Sequence, residues 1–503
     1  MDKKQYSLQE YVLLLKDNGF VVKTHDCGGI FNKTVRYISC DSSDIESGAL
    51  FVCKGVHFSK EYLKDALAKG AFAYVSETVY ELDGADTPYI IVNDVRKVMT
   101  FIAGLYYNNV WDQLQLVGLT GTKGKSTTAY YLKFIFDDYL KSRGKPESAI
   151  LSSIDNYDGV INEESHITTP ESFALYKHFN NAVESGIEYL SMEVSSQGLK
   201  YDRTLGVTFS VGCFLNIGED HISGIEHTDF EDYFSSKLKF FKQCRTACVN
   251  LGSDHIDRIM ETAKADAGEV ITFGLTEKAG VYGYDIKPEQ DGVTFKARTD
   301  SFDEKFELTM RGLFNVENAL AAIAACYALG VPVCHMTGGL KKARSSGRME
   351  VFRSASRGFD VIVDYAHNKM SFEALYSSIQ REYPGKKIFV VFGCPGYKAL
   401  GRRRELGEIA GKFSEMIFLT EEDAGEEPVI NICEDIAEHV KKQNRNYEII
   451  EDREKAIEKA IDTADENTVI LITGKGRETR QKRGLEYVET RSDVDCVEEF
   501  LKI

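Results

Sequence analysis

The chain has 503 residues, 43% apolar and 28% charged, with only 8 prolines. This is the make-up of a globular protein of about three domains at ~150 residues each. The 61 basic and 78 acidic side chains leave a net charge of −17, which argues against a nucleic-acid binder, whose footprint is basic. No apolar run approaches the ~20 residues that span a bilayer, and nothing at the N-terminus resembles a signal peptide. The 11 cysteines are scattered without zinc spacing, which favours a reducing cytoplasm.

Residues 1 to about 112 alternate short strands and helices, such as Gly48–Cys53 and Tyr62–Gly70. The apolar run Leu114–Leu119 then predicts a strand, and Ala129–Leu140 a helix. Between them lies Thr120-Gly-Thr-Lys-Gly-Lys-Ser126. A strand, a Gly-Lys-Ser turn and a helix N-terminus make a phosphate cradle, because turn N–H groups and the positive helix end face the anion. Lys125 would reach the outer phosphates and Ser126 a magnesium ion. The strict pattern asks for glycine at 119, where leucine stands, with Gly118 one residue early. A glycine-rich surface loop is the alternative, disfavoured because strand, turn and helix agree.

Further along, Tyr189–Glu193 reads as a strand delivering one carboxylate, Glu193, which suits a hard cation as well as it suits a plain strand end. Phe214–His221 repeats the form with an imidazole, more often structural than a ligand. In Phe230–Phe241 aromatic residues mark one face of a helix with Lys237 near its edge, and from pattern alone that lysine is solvated. Lys341–Gly347 reads as a linker. Beyond it, strands at Phe359–Asp364, Lys387–Phe392, Met416–Leu419 and Val469–Thr473 alternate with helices, which predicts a parallel α/β sheet. Three of these strands end in polar clusters, Asp364–His367, Glu421–Asp423 and Gly474–Glu478, where such sheets bind ligands.

The phosphate-loop segment, Glu193-Val-Ser-Ser196, Asn216…Asp220-His221, the Tyr-Phe-x-x-Lys helix, Phe314-Asn-Val-Glu-Asn-Ala-Leu-Ala321, Gly347-Arg-Met-Glu350, Asp364-Tyr-Ala-His367 and Gly474-Lys-Gly476 occur in this order. Together they resemble the Mur ligases across nearly the whole chain, and within them the MurE branch, which adds the third residue of the cell-wall stem peptide. The resemblance implies an α/β protein of three domains. These are a mixed α/β UDP-sugar domain (1–112), a central phosphate-loop ATPase domain with a mostly parallel sheet (113–345), and a Rossmann-like amino-acid domain (346–503). It implies an ATP-dependent ligase that forms an acyl phosphate on the D-Glu γ-carboxylate of UDP-MurNAc-L-Ala-D-Glu and joins an amino acid to it. Two Mg²⁺ ions are expected on Ser126, Glu193, His221 and Lys237, the last as a CO₂-derived carbamate. Lys125, Glu193, His221 and Lys237 are then the catalytic candidates. ATP falls to Thr120, Gly121, Thr122, Lys123, Gly124, Lys125, Ser126, Thr127, Asn315, Asn318, Arg348 and Asp364. The UDP-MurNAc-dipeptide falls to Ser42, Thr168, Thr169, Ser195 and Arg203, with Ser43 and Tyr201 departing from the family pattern. A cytoplasmic monomer that binds neither nucleic acid nor membrane is expected.

For the incoming amino acid, the resemblance implies Arg403, Asp423, Gly474 and Glu478. The diaminopimelate-adding branch carries an Asp-Asn-Pro-Arg motif. The corresponding Leu419–Pro428 stretch here is one residue shorter and has no arginine. An acidic loop favours an ammonium over a second carboxylate, so L-lysine is expected, with ornithine and meso-diaminopimelate as alternatives. The Tyr397-Lys398-Ala399 stretch also departs from the family. Folylpolyglutamate synthase is a weaker resemblance, and a non-catalytic nucleotide-binding regulator the reading from another class.

Overall fold

Apolar runs of four to six residues, flanked by turns, become strands buried on both faces, and three such sets build three sheets. The computed structural model describes residues 4–55, 58–82, 86–165, 167–218, 226–289, 292–345, 347–354, 356–443 and 446–502. The first sheet has five strands in the order Val21–His25, Tyr89–Val92, Ala71–Ser76, Ala49–Val52, Tyr37–Ser39. Only its first pair is antiparallel.

The second sheet has eleven strands. At its centre Gln115–Thr120 runs parallel to Tyr189–Glu193 on one side and Phe209–Phe214 on the other. Leu119 is a fully buried member of this strand, in register with Glu193 and Cys213. The departure from glycine at 119 is thereby explained: the position belongs to the strand core, not to the turn. Gly118 clears the sheet face for aromatics, since a Cβ there would stand 2.7 Å from Phe240 and 2.8 Å from Phe209. An antiparallel extension, Val281–Glu289, Gly292–Arg298 and Asp303–Leu308, widens one edge.

The third sheet follows the order Glu350–Arg353, Asp360–Asp364, Thr468–Thr473, Lys387–Phe392, Met416–Leu419, Asn446–Ile449. All its pairs are parallel except the first, and the four strands expected from the sequence are present within a residue. One apolar core joins the first sheet to the second: Leu8, Leu50 and Ile102 belong to the same buried cluster as Leu175, Phe209 and Phe240. No helix among the described residues is long and apolar enough to cross a membrane.

Candidate active site

The helix Lys125–Ser142 begins directly after the central strand, with Gly124 at its N-cap in the left-handed region, φ 87°. A Cβ there would lie 2.1 Å from Asn318 Oδ1, so glycine serves both the turn and the close approach of Asn318. Asn216 clamps the loop from the neighbouring strand. Its Oδ1 accepts from Lys123 N (2.8 Å) and its Nδ2 donates to Lys123 O (3.1 Å). Lys125 Nζ turns back to donate to Gly121 O (3.0 Å) and Thr122 O (3.3 Å).

Lys237 is not solvated. It is 1% exposed, donates to the same Gly121 carbonyl at 2.9 Å, and lies 4.8 Å from the centre of the Tyr233 ring. The helix Phe230–Leu238 gives way to a 3₁₀ turn at Lys239–Gln243, so the greasy face on which Lys237 sits packs inward.

Glu193 ends its strand 1% exposed. Its Oε1 accepts from Ser153 N (2.8 Å) and Ser153 Oγ (3.1 Å), and Ser153 Oγ lies 3.1 Å from Ser126 Oγ. Three hard oxygen donors thus converge, a set that fits Mg²⁺. Ser153 was not picked out from the sequence, although it follows the strand Ala149–Leu151 at the same sheet end. His221 lies outside the described residues.

Ser126, Ser153 and Glu193 open on a cavity of about 480 Å³ between the second and third sheets, and Lys237 is not among its lining residues. Lys123, Lys125, Ser126, Thr127, Thr168, Glu193, Asn315, Asn318, Arg348 and Asp364 line it, while Thr120 and Gly121 are not among its lining residues. From the third sheet, Arg348 reaches Ser126 Oγ (3.4 Å) and lies over the Tyr365 ring. Asp364 is buried and accepts from Met349 N and Ala366 N. Burial raises its carboxyl above the usual range, against the pull of Arg348. His367 Nδ1 faces the Tyr365 carbonyl at 2.7 Å, which can only accept, so Nε2 is left to accept from Lys123 Nζ at 3.3 Å.

Beside this cavity, Thr169 Oγ1 accepts from Ser195 N (2.9 Å) and donates to Glu193 O (3.0 Å). Arg203 donates to Thr169 O and pairs with Glu171, which also holds Lys54 from the first sheet. Thr169, Ser195 and Arg203 are therefore one connected group. Ser42 lies after the strand Tyr37–Ser39 in the first sheet and lines neither this cavity nor the next.

A second cavity, about 240 Å³, is lined by Lys398, Arg402, Glu422, Asp423, Gly474, Lys475 and Glu478, and shares Tyr365 and His367 with the first. Arg403 is not part of it. Its guanidinium is spent on Glu427 (2.9 and 2.6 Å) and Asp435 (3.2 Å). Arg402, one helical step away, lines the cavity at the place the resemblance implied for Arg403. The acidic loop is likewise divided: Glu421 pairs with Arg483, Glu427 with Arg403, and Asp423 with Lys475. Lys475 also meets Glu478, whose carboxylate accepts from Tyr365 OH at 2.6 Å. Glu422 makes no hydrogen bond among the described residues, and burial pushes its carboxyl up to about 7 although Arg453, Arg402 and Lys475 oppose this. Gly474, φ 108°, makes room for it, since a Cβ there would stand 2.2 Å from Glu422 Oε2. Ala399 and Asp423, both lining the cavity, hold positive φ (45° and 50°), a strain that clusters at ligand sites.

Comparison with known proteins matches the Mur ligase middle domain over residues 119–326 and the Mur ligase, glutamate ligase domain over residues 347–476. The UDP-N-acetylmuramoyl-L-alanyl-D-glutamate–2,6-diaminopimelate ligase of Clostridioides difficile is 36% identical, covering 90% of this chain and 92% of its own. The UDP-N-acetylmuramoyl-L-alanyl-D-glutamate–L-lysine ligase of Streptococcus agalactiae is also 36% identical, covering 94% and 93%. A solved UDP-N-acetylmuramoyl-L-alanyl-D-glutamate–2,6-diaminopimelate ligase shares the fold with a TM-score of 0.67 at 23% identity, over 99% of both chains. With two family domains in sequence and relatives of this identity along nine-tenths of its length, the chain belongs to the Mur ligase family.

Proposed function

We propose that the chain is an ATP-dependent ligase that joins L-lysine to the D-Glu γ-carboxylate of UDP-MurNAc-L-Ala-D-Glu. The observation that carries this reading is the pair of adjoining cavities with Tyr365 and His367 as a common wall, one built on a phosphate loop and the other on paired carboxylates and cations. In the first step a γ-carboxylate oxygen attacks the γ-phosphorus of ATP, ADP leaves, and an acyl phosphate forms. In the second, the unprotonated amine attacks the acyl carbon, the bond to phosphate breaks, inorganic phosphate departs, and the amine nitrogen loses a proton.

Carboxylate and triphosphate are both anions, and Lys123, Lys125 and Arg348 bring the positive charge that lets them approach. Asn315, Asn318 and Asp364 take the nucleoside end of ATP, and Thr168, Thr169, Ser195 and Arg203 the muramyl-dipeptide. Ser126, Ser153 and Glu193 offer the oxygens that would hold Mg²⁺, with His221 as a further ligand. The ion supplies screening of the transferring phosphoryl charge. Lys237 is the site for a CO₂-derived carbamate, which would turn a buried cation into an oxygen donor. ¹³C-bicarbonate should then give a carbamate carbon resonance that Lys237→Ala lacks, and equal spectra from the two proteins exclude the modification.

In the second cavity, Arg402 and Lys398 suit the one carboxylate of lysine, and Glu422, Asp423 and Glu478 its amines. A diaminopimelate reading is kept because relatives of both kinds are equally similar. The test is phosphate release with UDP-MurNAc-L-Ala-D-Glu, ATP, Mg²⁺ and one amino acid at a time. Lysine is expected to support turnover, and release without any amino acid would refute a ligase. Turnover with diaminopimelate alone would refute the lysine assignment and leave the ligase class standing.

A further inference from the structure

Arg453 begins the helix Arg453–Thr463 and Asp493 the helix Asp493–Leu501, on the third sheet. Both are buried, 5% and 2% exposed. The guanidinium pairs in bidentate fashion with Asp493, Nε to Oδ1 at 2.6 Å and Nη2 to Oδ2 at 2.8 Å. It has two further acceptors, both carbonyls: Nη2 donates to Thr473 O (2.7 Å) and Nη1 to Glu421 O (3.3 Å). Asp493 Oδ2 in turn accepts from Gly476 N at 2.9 Å.

These partners are not scattered. Glu421 precedes Glu422 and Asp423, Thr473 precedes Gly474 and Lys475, and Gly476 follows them. Every one of these four neighbours lines the smaller cavity. The two turns leave strands that do not pair with each other, because Lys387–Phe392 lies between Met416–Leu419 and Thr468–Thr473. No backbone ladder therefore sets the spacing between the turns directly; the Lys475–Asp423 pair links them inside the cavity, and the buried Arg453 guanidinium donates to a carbonyl of each. A buried ion pair of this kind adds little net stability over an apolar packing, so its connections, not its charge pairing, distinguish it.

We propose that Arg453, held by Asp493, is a positioning residue that fixes the Glu421–Asp423 turn against the Thr473–Gly476 turn and so shapes the cavity that takes the incoming amino acid. This rests on the reading of that cavity given above. The groups facing Glu422 come from several elements: Arg453 and Arg402 from helices, Lys475 and Asp423 from the two turns, with Tyr365 and Cys394 nearby. Arg453 is first among the cations that favour its charged form. Its removal should therefore act on the amine and leave the nucleotide untouched.

Arg453→Lys keeps a charge and loses the fork, Arg453→Met loses both, and Asp493→Asn releases the guanidinium. In Arg453→Lys the KM for the amino acid should rise about tenfold, what the loss of a charge-assisted hydrogen bond carries. The KM values for ATP and the UDP-MurNAc-dipeptide should stay within about twofold of the native enzyme, as uniform binding at the other cavity predicts. In Arg453→Met the acidic limb of kcat/KM for the amino acid should move up by about one pH unit, as expected when a nearby cation is lost. Amide hydrogen exchange should quicken at Glu422–Ala424 and Gly474–Lys475 in Arg453→Lys, with the phosphate loop unchanged. An equal rise in all three KM values, or unaltered exchange in these turns, overturns the proposal. If the native enzyme accepts no diamino acid, the reading of the cavity fails instead, and the exchange measurement still decides whether Arg453 positions the turns.

Discussion

The two cavities hold their charges differently. In the larger one, the lining cations meet neutral groups: Lys125 donates to Gly121 O and Thr122 O, Lys123 to His367, and Arg348 to Ser126 Oγ. A bound phosphate chain competes with these two carbonyls for Lys125, an exchange of neutral acceptors for a charged one that favours the ligand. In the smaller one, charges are paired side chain to side chain, Lys475 with Asp423 and Glu478, and Glu422 is left over in a buried position. The first cavity is thus poised for an anion at little standing cost. The second carries a carboxylate whose burial outweighs the pull of Arg453, Arg402 and Lys475, a cost borne by the free protein that an incoming ammonium relieves.

If that contrast is right, the largest loss should come from the phosphate loop. Lys125→Ala should lower turnover by roughly 10²- to 10³-fold, the scale of removing one group aimed at transition-state charge. ADP release followed by a coupled assay measures this, with the melting temperature as a control for folding. A fall of less than tenfold would mean that Lys125 rests on Gly121 for structural reasons alone. Gly474→Ala attacks the other cavity: the added Cβ meets Glu422 at 2.2 Å in a left-handed backbone. It should raise the KM for the amino acid about tenfold or more, since either side chain or turn must move and such strain costs on the order of 1–3 kcal/mol. The KM for ATP should not follow. Parallel changes in both constants would erase the distinction between the cavities.

The same contrast governs how much of the molecule could be read beforehand. The phosphate loop, Glu193 and the four strands of the third sheet are local patterns, in which a turn, a strand end or an apolar run carries its own signal. Lys237 was harder, because its helix shows a greasy face but not which side of the lysine that face would meet. Ser153 has no signal beyond its place after a short strand. The smaller cavity was least legible. Arg402 and Arg403 are adjacent in sequence and about 100° apart around a helix, so their fates depend on where Glu427 and Asp435 come to lie. Arg453 and Asp493 are 40 residues apart, and neither stands in a motif.

A stability measurement reports most directly on the buried carboxylate. Burial lifts Glu422 from 4.5 to about 7. A carboxyl raised in this way is most favourable to the folded state below its open-chain value, and that contribution is lost as pH rises through about 7, where the native protein must carry a buried charge. Glu422→Gln removes the charge and keeps the shape. The variant should therefore be more stable than the native protein at pH 8, by at most about 3 kcal/mol, while the difference shrinks towards zero near pH 4.5. Urea unfolding at the two pH values measures this. In the same variant the amino acid should bind more weakly at pH 8, because the ammonium loses its partner. A variant that gains stability and loses affinity together would tie the cost of the empty pocket to its use. Equal stability at both pH values would mean that Glu422 is already neutralised by Arg453, Arg402 and Lys475, and that the two cavities store charge alike.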